Sequence, residues 1–167
     1  MFFNRKKKIA KKHIQMADHV KLLLLKIYTQ ALQPLLIVKG KTPQVAQQEA
    51  NIYASYTINR LFGDSNTKLI VGNESYFTEM DFYHEEMLGT IINKNYQHLK
   101  PLIFDALMRY RTSFEILGKS HLLNNKEVVN SLVRKLDLMP ANYQPMADSA
   151  FLKLAQSELD KLNTTSK

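Results

Sequence analysis

Residues 5–33 read RKKKIAKKHIQMADHVKLLLLKIYTQALQ, and this stretch decides the fold. Ile9, His13, Met16, Val20, Leu23, Ile27 and Ala31 recur at spacings of three and four, the signature of one helix face, and Ala10, Ala17 and Leu24 widen it. Lys7, Lys8, Lys11 and Lys12 fall on the opposite face, so the helix begins amphipathic and strongly basic. Further along, Leu22 and Leu25 leave little polar surface. That pattern calls for burial among neighbouring helices, with Lys21 and Lys26 reaching outward. Pro34 is expected to kink or end the helix, and Gly40 to close the apolar segment beyond it.

The same apolar run invites a membrane test over residues 20–38. Lys21 and Lys26 would each cost about 2.5–3.5 kcal/mol at mid-bilayer, whereas each leucine returns about 0.5 kcal/mol. No transmembrane segment is expected. Lys26 also splits the run, and no small-residue cleavage pattern follows it, which argues against a cleaved signal peptide. The chain has no cysteine. Disulfides, thiolate metal sites and cysteine nucleophiles are therefore excluded, and a cytoplasmic location is the expectation.

Outward from this helix, the chain reads as further helices. Thr42 and Pro43 form an N-cap and first-turn pair that opens a helix running to Phe62 and stopping at Gly63. Ala46, Ala50 and Ala54 stand four apart on it, a small-residue strip that admits a close neighbour. Residues 64–73 read as a polar loop in which Leu69, Ile70 and Val71 pack irregularly rather than as a strand. A third helix is expected over residues 76–93 despite Gly89, which costs about 1 kcal/mol relative to Ala. A fourth has Pro101 in its first turn and Gly118 beyond its end. Asn124 and Glu127 resemble a capping box for a fifth, and residues 146–162 form the last. The expected fold is all-α, a single-domain bundle of about six helices. Its parts are a basic extension at residues 1–13, a helical domain at 14–162 and a disordered tail at 163–167.

Charge is distributed unevenly. The first 41 residues hold ten Lys/Arg against one acid, Asp18, and the remainder holds thirteen against fourteen. The surplus behind the net +8 therefore belongs to one segment. Arg5, Lys6, Lys7, Lys8, Lys11 and Lys12 are the candidate binding residues, able to attract phosphate, anionic lipid or an acidic protein face. Residues 69–93 carry Glu74, Glu79, Asp81, Glu85 and Glu86 with no Lys or Arg, so the arm also has an acidic counterpart for self-association.

Asp81, His84 and Glu85 share a helix face and are the metal-site candidates, although a di-metal site would need a second carboxylate-to-His pair, which is lacking. No phosphate loop, nucleophile elbow or paired metal-binding His appears. Arg109 with Asp105, and Arg111 with Glu115, read as ion pairs on a solvated helix. The functional expectation is a non-catalytic helical protein, without cofactor, that docks on a protein partner or on itself through the basic helix and helix faces. Peripheral binding to nucleic acid or an anionic membrane is the alternative, and a bundle metalloenzyme the third reading.

Overall fold

The computed structural model describes residues 2–63, 69–71, 74–76, 79–119, 126–138 and 144–165. Six α-helices make up almost all of it: α1 Phe2–Val38, α2 Pro43–Leu61, α3 Glu79–Asn95, α4 Lys100–Ile116, α5 Lys126–Lys135 and α6 Asp148–Thr165. A 3-10 turn at Gln97–Leu99 precedes α4. The all-α bundle expected from periodicity is the fold observed.

Helix α1 is the spine, packed against α2, α4 and α6. Its stripe of Met16, Ala17, Val20, Leu23, Leu24, Ile27, Tyr28 and Leu32 is buried, as the spacing requires. By length and composition residues 4–38 also meet the requirement for a membrane-crossing helix, while the bundle uses them as its core. The helix does not stop at Pro34 but runs through it to Val38. Gln30 and Pro34 both lie on the exposed side, so water can reach the carbonyl that the proline leaves without an N–H donor. The end comes instead at Gly40, whose φ is +97°. There Lys41 N–H donates to the Leu36 carbonyl and Gly40 N–H to that of Ile37, a Schellman closure.

Helix α2 opens as expected, with Thr42 Oγ1 accepting from Val45 N–H at 3.3 Å. Ala46, Ala50 and Ala54 are fully buried. The segment expected to be irregular is a strand: β1 Leu69–Val71 pairs antiparallel with β2 Glu74–Tyr76. The sequence between them is Gly72-Asn73, the type of pair that tolerates the left-handed angles of a two-residue hairpin connection. Because residues 74–76 belong to β2, α3 begins at Glu79 rather than near Tyr76. The Asn124 cap expected for α5 lies outside the described residues.

Gly89 has a packing reason for sitting inside α3. A Cβ there would come within 2.4 Å of Lys135 Cγ and 3.2 Å of Lys135 Cβ, so α5 approaches over the bare backbone. Asn93 Nδ2 donates to the Lys135 carbonyl at 2.9 Å and fixes that approach. Helix propensity alone favours Ala over Gly by about 1 kcal/mol, but over-packing costs about 1–3 kcal/mol. Gly89→Ala is therefore expected to lower the urea midpoint, by a net of about 1 kcal/mol. A raised midpoint would show that α5 yields freely.

Residues 163–165, expected in a loose tail, continue α6, where Thr164 Oγ1 donates to the Asp160 and Lys161 carbonyls. Asn163 Oδ1 accepts from Lys26 Nζ at 2.7 Å, and at the other end of α6 Asp148 meets His13. Helix α6 thus runs parallel to α1. Helix α4 runs antiparallel to both, since Arg109 reaches Asp148 and His98 reaches Glu158.

Candidate functional site

Residues 4–9, nearly two turns at the start of α1, are all exposed. Arg5, Lys6, Lys7, Lys8, Lys11 and Lys12 are all exposed. Asn4, Lys8, Lys11, Lys12 and Gln15 follow one another at helical spacing on the solvent side, whereas Ala10, Met16 and Ala17 are buried. The fold therefore leaves this cationic face outside its core. Helix α1 crosses position 13 without a break, so the expected boundary between extension and domain falls inside one continuous rod.

The root of the arm is tied to α6. Lys12 Nζ lies 3.6 Å from Asp148 Oδ2, and His13 Nε2 lies 3.2 Å from Asp148 Oδ1. Asp148 is the first residue of α6, where the helix dipole favours a negative charge. It also accepts from Arg109 Nη1 at 2.7 Å.

Arg109 anchors a network that spacing alone misassigned. The Arg109–Asp105 pair is not solvated: Asp105 is 1% and Arg109 6% exposed. Asp105 Oδ1 accepts from Arg109 Nε at 3.2 Å, and its Oδ2 accepts from Met146 N–H at 3.1 Å. Arg109 Nη2 donates to the Met146 carbonyl, and the guanidinium lies 4.8 Å from the centre of the Phe151 ring. These bonds fix how the chain turns into α6. Arg111 and Glu115, at the same spacing one turn over, are exposed and 3.9 Å apart, as expected of a surface pair. A signal was present in the sequence: Asp105 and Arg109 continue the line from Leu102 and lead to Ser113, all of them buried.

Two of the three metal candidates, His84 and Glu85, have other partners. His84 is buried, with Nδ1 at 2.5 Å from the Tyr28 hydroxyl and its ring stacked on Tyr53 at 4.8 Å. Tyr83 and Tyr28 present ring edges to it. Burial, reinforced by Tyr83, pushes the Tyr28 hydroxyl far up, so Tyr28 stays protonated in its hydrogen bond with Nδ1. Glu85 Oε1 faces Arg60 at 3.6 Å. The Asp81 side chain lies outside the described residues. Among the described residues, no three His, Asp or Glu side chains converge on one ion position.

Two carboxylates are expected to make the bundle acid-sensitive. Hydrogen bonding from Arg109, with help from His13, holds the Asp148 carboxyl below its ordinary range against the effect of burial. Burial pushes the Glu158 carboxyl up, and bonds from His98 and Lys161 outweigh it, leaving a net lowering. A depressed folded-state value contributes stability above the unfolded pKa of about 4, and that contribution is lost as pH falls through the folded value. Urea midpoints are expected to fall below about pH 4, and the Asp148→Asn/Glu158→Gln double variant to fall less steeply. An equally steep decline in the variant would assign acid sensitivity to other groups.

Comparison with protein-family models, with curated proteins and with solved structures returned no match.

Proposed function

We propose that this chain is a non-catalytic helical protein that docks on an anionic macromolecular surface through the first turns of α1. The observation that carries this reading is the exposure of all of residues 4–9, together with Lys11 and Lys12. Five lysines and an arginine fall within eight consecutive residues, and the 17 residues at the front contain no acid, so the segment concentrates positive charge that attracts an outside anion. The polar clusters at Arg109 and His84 are buried and hold helices together, which suits scaffolding rather than chemistry.

The test uses the full chain beside an Arg5→Glu/Lys8→Glu/Lys11→Glu variant, with anionic vesicles, random duplex DNA and polyglutamate as probes at low salt. The expected result is retention by at least one probe, lost in the variant, with the melting temperature unchanged within about 2 °C, since exposed substitutions cost about 0.5 kcal/mol or less each. Retention by none of the three would overturn the reading. A large drop in melting temperature would make the segment structural.

A further inference from the structure

We infer that the anionic surface is a lipid bilayer, with the first turns of α1 lying in its headgroup layer. This rests on the docking reading and adds a partner to it. Three observations select lipid over other polyanions. Ile9 is 45% exposed, yet it continues the buried line of Met16, Val20, Leu23 and Ile27. The core stripe of α1 thus extends into the exposed first turns, where the Ile9 side chain is only partly covered. Arg5 precedes Ile9 by four residues, so a cation stands one turn from the apolar side chain on the same side of the helix.

Second, the apolar exposure is not confined to the arm. Helix α4 runs antiparallel to α1, and Arg109 is level with His13 through their shared Asp148. The last turn of α4 therefore ends at the same end of the bundle, where Ile116 is 36% exposed beside exposed Arg111 and Lys119. This end presents isoleucines beside Arg5, Lys8, Lys11 and Lys119, while Arg111 is paired with exposed Glu115. A helix with one apolar line and basic flanks seats its apolar side at the acyl boundary while its cations meet lipid phosphates. A nucleic-acid backbone would use the cations and leave the isoleucines in water. Third, the sequence ahead of Arg5 is Met1-Phe2-Phe3-Asn4, apolar and aromatic where a polyanion-binding tail would gain from further charge.

The experiment is co-sedimentation of the full chain with vesicles of phosphatidylserine and phosphatidylcholine, and with phosphatidylcholine alone, against competing duplex DNA and polyglutamate. Expected is binding to the anionic vesicles and not the neutral ones. Affinity should fall about fivefold for each basic residue removed among Arg5, Lys8 and Lys11, the factor that corresponds to one surface cation. Ile9→Ser should weaken vesicle binding about tenfold and leave both DNA binding and the melting temperature unchanged. Tighter binding to DNA or polyglutamate, with Ile9→Ser silent, would overturn the bilayer while preserving the docking reading. Binding to none of the probes would overturn both. Vesicle binding that survives reversal of Arg5, Lys8 and Lys11 would also overturn the inference and move the contact elsewhere.

Discussion

Replacing Arg109 with Met is expected to destabilise the chain by about 3–5 kcal/mol, the cost of leaving a buried charge without its partner. Asp105 is 1% exposed and would lose the guanidinium that neutralises it, while keeping the Met146 N–H. The same change also releases Asp148 and the Met146 carbonyl, and uncovers a face of Phe151. For a chain of this length such a loss lowers the melting temperature by about 10 °C or more. Arg109→Lys should recover little, because an ammonium cannot satisfy Asp105, Asp148 and the carbonyl from one plane as the guanidinium fork does. Asp105→Asn combined with Arg109→Met should cost less than the two single changes added, since a neutral amide still accepts from Met146. Urea unfolding of the four chains tests this. A loss below about 1 kcal/mol for Arg109→Met would mean that water enters the cluster and that the network is peripheral to stability.

Leu24→Ala is expected to cost about 2–5 kcal/mol and Leu22→Ala less than about 1 kcal/mol, although the two belong to one run of four leucines. Leu24 is fully buried and Leu22 is 44% exposed. The larger cost combines the lost transfer of the side chain with a cavity in a core that α2, α4 and α6 close around α1. Leu23→Ala should resemble Leu24→Ala, since Leu23 is equally buried. Denaturant midpoints of the three variants check this order. Equal losses at Leu22 and Leu24 would place the run in an environment apolar on all sides, which is what a bilayer-spanning segment requires.

Much of this was readable from residue spacing. The 3.6-residue period marked the buried line of α1 because burial on one side is what such a period records, and Thr42-Pro43, Gly40 and Gly118 marked ends where backbone groups need caps. Of the two outcomes expected at Pro34, a kink or an end, the end does not occur, because the carbonyl that loses its N–H donor lies on the solvent side. The hairpin was missed because three-residue strands carry too little alternation to register, leaving Gly72-Asn73 as the sole cue. The four-residue interval by itself does not separate Asp105–Arg109 from Arg111–Glu115, whereas the line from Leu102 through Asp105 and Arg109 to Ser113 does. Their difference is which side of α4 receives α6, a fact of tertiary packing. The cationic arm was fully legible as charge. That its root is held by Asp148, from a helix 135 residues away in the chain, was not.

The central claim is that α1 divides near Ala10 into a part that folds the protein and a part that docks it. The most direct measurement compares the full chain with one lacking residues 2–9, which keeps Lys12, His13 and their contacts to Asp148. Thermal melting and binding to phosphatidylserine vesicles are read on the same samples. The account predicts melting temperatures within about 2 °C of each other and vesicle binding by the full chain alone. A shortened chain that melts more than about 8 °C lower, or that binds as well as the full one, would contradict it.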